Sequence, residues 1–290
     1  MSDKNILEQV KLICKTQNIR PERSKGQNFL INTEVIDKII SASGLKKDDV
    51  VLEVGPGLGI LTEGLTSKAG RVISVELDKK LFGYLQVKFL KAKNLKLVND
   101  DILKINPKNL GLKQGHYKII ANLPYNITSI FLRTFMSGPN RPSDMTLLLQ
   151  KEVAQRICAG SGDSSLLSIS IQLYGRPEII EIVPKKDFYP VPEIDSAILK
   201  ISDIKSKREV DKFLGNISDD DFWRVVRISF SAKRKQLQNN LSSGLKISAE
   251  NIKKLLKEAN FDPQVRAQNL DVNDYVRLTA VLTPLLPKKV

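Results

Sequence analysis

A short apolar run, Val50-Val51-Leu52-Glu53-Val54, leads directly into Gly55-Pro56-Gly57-Leu58-Gly59. Residues rich in Val and Leu, followed at once by backbone with few side chains, predict a buried strand that enters a tight loop. Ile60, Leu61, Glu63, Gly64 and Leu65 then carry helical spacing, so the loop joins the C-terminal end of a strand to the start of a helix. Open α/β sheets bind ligands at that edge. Glycine there admits positive φ and lets the main chain approach a ligand closely. A second β-branched run, Arg71-Val72-Ile73-Ser74-Val75, delivers Glu76 about twenty residues beyond the loop, the place of a ribose-binding acid in a nucleoside-binding βαβ unit.

The glycine spacing narrows the nucleoside. Gly55, Gly57 and Gly59 form G-x-G-x-G, with Ile60 and Thr62 where a dinucleotide pattern wants small residues, which disfavours NAD. With Glu53 the run reads E-x-G-x-G-x-G and resembles motif I of the class I S-adenosylmethionine-dependent methyltransferases. That resemblance implies an α/β, Rossmann-like fold with a seven-stranded sheet.

Composition adds a partner class. In 290 residues the net charge is +14, a field that attracts polyanions and makes RNA, DNA or an acidic membrane surface plausible partners. Cys14 and Cys158 are too few and too far apart for a disulfide framework or a C-x-x-C metal site, so a reducing compartment is expected. No apolar run approaches the roughly twenty residues of a membrane span, and a soluble, cytoplasmic protein is expected. His116 is the only histidine, which disfavours histidine catalysis and metal sites.

Along the chain, Ile6 to Ile13 has helical apolar spacing, and Arg20 to Lys25 follows as a basic arm in which Arg23 and Lys25 are candidate RNA contacts. Gly26-Gln27-Asn28-Phe29-Leu30 sets polar amides against an apolar anchor. Gln27 and Asn28 either hold the amine and carboxylate of a methionine moiety or make a capping turn before a helix over Glu34 to Ala42. Asp78 is placed to cap a helix. A third strand, Leu95 to Val98, ends at Asn99-Asp100-Asp101-Ile102, where an acid can accept the exocyclic amine of an adenine, Ile102 can pack on the ring, and helix capping is the alternative.

A fourth strand, Lys118 to Ala121, ends at Asn122-Leu123-Pro124-Tyr125. The exocyclic nitrogen of adenine is a poor nucleophile because its lone pair is delocalised into the ring. Acceptors for its two N–H groups, the Asn122 side-chain oxygen and a main-chain carbonyl at Leu123 or Pro124, favour a more pyramidal nitrogen, while Tyr125 stacks on the base. The rate then comes from positioning and desolvation, and no metal is required. Further along, Ser129 to Met136 predicts a helix, Met145 to Leu149 a strand, and Leu166 to Leu173 a helix lying on the sheet. Glu178 to Val183 and Ser196 to Ile201 predict an antiparallel hairpin. The proline-stiffened connection between them places Phe188 to cover the second face of the base.

From Ser202 to Ser218 the chain reads as a linker, and beyond Asp219 only helical periods appear: Phe222, Val225, Val226 and Phe230; Ile252, Leu255, Leu256 and Ala259; Tyr275, Leu278 and Val281. The expected division is a Rossmann-like domain with its N-terminal arm over 1–203 and a small all-α, RNA-binding domain over 204–290. Lys233, Arg234 and Lys235, before an amide-rich stretch, suit phosphate contacts.

Taken together, Gly26 to Leu30, Glu53 to Gly59, Glu76-Leu77-Asp78, Asn122 to Ile127, Leu149 to Ala154 and Phe188 to Ala197 resemble the KsgA-type small-subunit rRNA adenine dimethyltransferases in order and spacing. The resemblance implies four methyl transfers from S-adenosyl-L-methionine, leaving S-adenosyl-L-homocysteine, to N6 of two adjacent adenosines in the 3′-terminal hairpin of 16S rRNA. The implied partner is the assembling 30S particle, with a monomeric enzyme acting in ribosome biogenesis. By matching positions, Gln27, Asn28, Leu30, Gly55, Gly57, Glu76, Leu77, Asp101, Ile102 and Asn122 bind the cofactor. Asn122, Leu123, Pro124, Tyr125 and Phe188 hold the flipped adenine. Glu193, where the family often has lysine, and Gln268, where it often has glutamate, depart from the pattern. The alternatives are an Erm-type 23S rRNA adenine methyltransferase and a non-catalytic rRNA-binding assembly factor.

Overall fold

The computed structural model describes residues 3–21 and 26–286; Arg23 and Lys25 of the basic arm lie outside the described residues. Seven strands form one sheet: β1 Val50–Val54, β2 Arg71–Glu76, β3 Leu95–Asn99, β4 Lys118–Asn122, β5 Asp144–Gln150, β6 Arg176–Val183 and β7 Ser196–Ser202. Their order is β3-β2-β1-β4-β5-β7-β6. The first five run parallel, and β7 is antiparallel to both β5 and β6, with a bulge at Ile179/Glu181. The expected hairpin is therefore present, and its second strand is the one inserted beside β5.

This order creates the site. From β1 the chain moves outward to β2 and β3, and it then returns to the other side of β1 as β4. The loops after β1 and β4 consequently part, leaving a crevice at the C-terminal edge, where such sheets bind ligands. Both informative loops of the sequence, Gly55–Gly59 and Asn122–Tyr125, stand at that edge.

Burial follows the patterns. Val51, Val72, Ile120, Leu148 and Ile198 from five strands pack with Val35, Ile36, Ile39 and Ile40 of helix Thr33–Ala42 and Leu61 and Leu65 of helix Ile60–Lys68. A second cluster seats the N-terminal helix Asp3–Thr16, through Ile6, Val10 and Cys14, on Phe29, Ile31, Leu58 and Leu81. Asp78 caps helix Lys79–Lys88 as expected, accepting from the amides of Lys80 and Leu81.

The chain forms two compact units, one of Met1–Gln155 with Gly175–Ile204, the other of Arg156–Tyr174 with Lys205–Val290. The second is helical. Phe222, Val225, Leu241, Ile252, Leu256, Tyr275 and Leu278 are its fully buried centre. Three expectations are corrected here. Helix Leu166–Gln172 belongs to this helical unit rather than to the sheet unit; Leu167 to Ile171 are all buried, so its apolar character reflects burial on every side. The supposed linker contains helix Lys207–Leu214, begun by a reciprocal capping box between Ser206 and Glu209 and anchored by Val210 and Leu214. At the C-terminal helix Leu282, rather than Val281, is the residue turned to the core.

Leu148, fully buried in β5, tests the sheet core. Leu148→Ala is expected to cost about 2–5 kcal/mol, read as a lower urea midpoint of the sheet unit's transition.

Candidate active site

The glycine loop is held open from below. Glu53, at the end of β1 and 1% exposed, accepts the Ser74 hydroxyl of β2 at 2.5 Å and the Thr62 hydroxyl at 2.8 and 3.1 Å. Thr62, which looked misplaced for a dinucleotide motif, is thus the hydroxyl that ties the following helix to β1. Burial pushes the Glu53 carboxyl up to about 7, against the two hydroxyl bonds that favour its charge. Gly55, Gly57 and Gly59 have φ of 63°, 59° and 77°. In that region a side chain is strained, and only glycine keeps the loop narrow. From above, the Lys88 ammonium donates to the Leu58 carbonyl at 2.8 Å and pairs with Glu63 at 2.9 Å.

Glu76 ends β2 with its carboxylate at the loop: one oxygen accepts from the Gly57 amide at 3.2 Å and the other from the Asp78 amide at 2.8 Å. Burial raises its pKa, and these amides oppose the rise. Beyond β3, Asp101 accepts the Leu103 amide at 3.0 Å and so closes a turn. No helix begins there, which removes the capping alternative. The Gln27–Asn28 alternative falls in the same way, since Asn32 caps helix Thr33–Ala42 through the amides of Glu34 and Val35.

These parts enclose a cavity of about 210 Å³ at the sheet edge. All ten residues expected at a cofactor, Gln27, Asn28, Leu30, Gly55, Gly57, Glu76, Leu77, Asp101, Ile102 and Asn122, line it. So do residues the sequence did not single out, among them Gly26, Leu58, Leu81, Asp100 and Asn126. Leu58, Asp100 and Asn126 lie within the motifs and were within reach of the same signal. Leu81 faces the cavity from helix Lys79–Lys88, of which the sequence marked only the Asp78 cap. Among the described residues the charged lining groups, Glu53, Glu76, Asp78, Asp100 and Asp101, are all acidic, in a chain of net charge +14.

The loop after β4 is built as tightly. The Asn122 amide nitrogen donates to the Asn28 carbonyl at 3.1 Å. The Pro124 carbonyl already accepts from the Ile127 amide and the Thr128 hydroxyl, both at 3.2 Å. The Tyr125 hydroxyl is 2.7 Å from the hydroxyl of the fully buried Ser196, and burial raises the phenol's pKa. Asn122 and Pro124 line the cavity, and Leu123 is buried behind them. Phe188 corrects an expectation: 1% exposed, it packs in the sheet core with Leu30, Val35 and Ile198 and pairs across the chain with Leu30. It is a core aromatic here, with no open face for a base.

In the helical unit, Lys233, Arg234 and Lys235 are exposed on the turn between helices Asp219–Ser229 and Leu237–Leu245. The amides that follow are not all surface groups. Asn240 is buried and donates to the carbonyls of Ser229 and Ala232, holding the basic turn in place. No group of three or more His, Cys, Asp or Glu that could hold a metal occurs among the described residues, and no helix there is long and apolar enough to cross a membrane.

A Rossmann-like sheet whose last strand is inserted antiparallel, with a glycine loop facing an Asn-Leu-Pro-Tyr loop, defines an α/β methyltransferase. Residues 18–283 match the family model of the ribosomal RNA adenine dimethylases, and the chain belongs to that family. It is 41% identical to the ribosomal RNA small subunit methyltransferase A of Dehalococcoides mccartyi over 94% of this chain and 92% of that protein. To the same-named protein of Clostridioides difficile it is 34% identical, over 96% of each. A crystal structure of a dimethyladenosine transferase from Plasmodium falciparum superimposes with TM-score 0.71 at 27% identity, covering 89% of this chain and 98% of that one. The 23S rRNA methyltransferase ErmE gives 0.68 at 25%, covering 88% and 100%.

Glu53 makes stability depend on pH. Its pKa is raised on folding, so the folded state holds a proton that the unfolded chain releases between its ordinary 4.5 and about 7. The contribution is complete below that window and lost across it as pH rises, by roughly 1–3 kcal/mol. Glu53→Gln is therefore expected to gain melting temperature relative to the parent between about pH 5 and pH 8, measured by calorimetry; a constant difference would place the Glu53 proton elsewhere.

Proposed function

We propose that this chain dimethylates N6 of two adjacent adenosines near the 3′ end of small-subunit rRNA, with S-adenosyl-L-methionine as methyl donor. The observation that carries the reading is the meeting of two loops at one crevice: the glycine loop with the Glu76 carboxylate, and the Asn122-Leu123-Pro124-Tyr125 loop, of which Asn122 and Pro124 line the same cavity. The relatives named above favour the small over the large subunit, since they reach 34–41% identity along nearly their whole length, against 25% for ErmE.

The cavity fits the cofactor. Gly55 and Gly57 offer close main-chain approach, Glu76 stands ready for ribose hydroxyls, and Asp101 and Ile102 serve the amine and face of an adenine. Gln27 and Asn28 are placed for the methionine end. The cofactor supplies a methyl group on a sulfonium and leaves as a neutral thioether. The acidic lining attracts that positive charge, so it favours donor over spent product. For the substrate base, the Asn122 oxygen accepts one N6–H. The second acceptor is the Leu123 carbonyl, because that of Pro124 is occupied by Ile127 and Thr128. Tyr125, its hydroxyl fixed by Ser196, supplies a ring face for stacking. The acceptor nitrogen keeps its lone pair for the methyl group, and its proton departs to solvent afterwards. Lys233, Arg234 and Lys235 contact rRNA phosphates; a monomer in the cytoplasm acting on the assembling 30S particle completes the reading.

Asn122→Ala is expected to lower methyl transfer by about a hundredfold or more while leaving RNA affinity unchanged. The assay supplies labelled S-adenosylmethionine with unmethylated small subunits or large-subunit RNA and looks for N6,N6-dimethyladenosine. Label in large-subunit RNA alone moves the substrate, and bound RNA without label identifies a non-catalytic factor. Neutralising Lys233, Arg234 and Lys235 together should flatten the salt dependence of RNA binding by roughly one unit of slope per lost phosphate contact, seen in filter binding at several salt concentrations.

A further inference from the structure

We propose that the main-chain carbonyl of Asn28 is a positioning group for methyl transfer, turning the Asn122 amide so that its oxygen faces the acceptor amine, and that Gly26 is the residue that lets it reach. This rests on the function proposed above and adds a group outside the Asn-Leu-Pro-Tyr loop.

A primary amide has two ends of nearly the same shape, one that only accepts and one that only donates. Adenine N6 presents N–H groups, so only the oxygen end of Asn122 serves it. Nothing about the strand end chooses between the two orientations. The Asn28 carbonyl does: it can only accept, and at 3.1 Å it takes the amide nitrogen. The reversed amide would bring two oxygens together at that distance. Among the described residues this is the one hydrogen bond of the Asn122 side chain.

The carbonyl is held by contacts on three sides. Phe29 and Leu30 pair antiparallel with Tyr189 and Phe188, and the Ile31 amide donates to the Asp187 carbonyl at 2.9 Å. The Phe29 ring lies against Gly57, where an added Cβ would stand 3.2 Å from it. Gly26, at φ +65°, lies so close to the β4 loop that a Cβ would come within 2.9 Å of the Tyr125 nitrogen. That neighbour is backbone of the catalytic loop and cannot move aside alone. Gly26 to Leu30 also line the cavity, so one short segment is both a wall of the cofactor site and the gauge for the acceptor amide.

The test is the pH profile of Asn122→Asp, which exchanges the donor end for a second oxygen. Protonated, its hydroxyl donates to the Asn28 carbonyl and the other oxygen remains an acceptor. Ionised, it has no donor, and one oxygen opposes that carbonyl. Glu53, Glu76, Asp78, Asp100 and Asp101 line the same cavity, and among the described residues no Lys or Arg does, Lys104 meeting Asp101 at 3.8 Å from an exposed position outside the lining; this charge balance favours the protonated form over an accessible range. With labelled S-adenosylmethionine and unmethylated small subunits, the ratio of variant to parent kcat is expected to fall about tenfold or more from roughly pH 6 to pH 9. A ratio that is flat, or that rises with pH because a carboxylate is the stronger acceptor, overturns the proposal. Gly26→Ala, which leaves Asn122 intact, is expected to lower kcat about tenfold or more with an unchanged circular dichroism spectrum; kcat within about twofold of the parent would equally overturn it. Methylation by the parent chain reads the function itself, so its failure is distinct from either result.

Discussion

Glu53 is all but buried, yet it is the point through which β1, β2 and the helix after the glycine loop are joined. Its carboxyl accepts the hydroxyls of Ser74 and Thr62, so the glycine loop between Glu53 and Thr62 spans two fixed ends. A buried carboxyl is costly unless it is neutralised or satisfied, and here both occur: two hydroxyl donors and a pKa raised to about 7. The left-handed glycines, the Glu76 carboxylate bound to the Gly57 amide and the Lys88 ammonium on the Leu58 carbonyl all build on that fixed span.

The second loop depends on the first through the segment from Gly26 to Ile31. That segment touches the glycine loop through Phe29, the β4 loop through Gly26 and Asn28, and the stretch before β7 through a two-residue antiparallel pair. The proposed donor and acceptor sites are thereby parts of one packed unit. Methyl transfer needs a sulfonium carbon and a weak amine in line, and such alignment is worth many orders of magnitude in rate. In the proposed reaction the polar contacts meet that need with one amide, backbone carbonyls and an aromatic ring, without any strong base.

Charge divides the molecule's tasks. A net charge of +14 suits a polyanionic substrate, while the charged side chains lining the cavity, among the described residues, are all acidic and suit a cationic cofactor. The exposed Lys233, Arg234 and Lys235 sit on a turn fixed by the buried Asn240, so the amide-rich stretch that looked like part of an RNA surface includes the scaffold of the basic turn.

The strands, the three left-handed glycines and Glu76 were legible because each rests on a local rule: apolar runs of strand length, glycine where φ is positive, an acid at a strand end; others of the ten cavity residues, Leu30 and Leu77 among them, were legible only through the resemblance to the family. The Ser206-to-Glu209 capping box was equally local and lay in plain view, yet charged surroundings masked it as a linker. What the sequence could not decide were matters of which face a side chain turns and what it meets across the fold. Phe188 had an aromatic's two possible uses, and only the pairing with Leu30 and the packing against Ile198 made it core. Leu166 to Leu173 was apolar whichever body it joined. Gln27 and Asn28 read as a cap or a wall until Asn32 proved to be the cap. The Asn28 carbonyl, being main chain, leaves no mark in a sequence at all; its partner stands 94 residues away, and tertiary packing alone brings the two within hydrogen-bond reach.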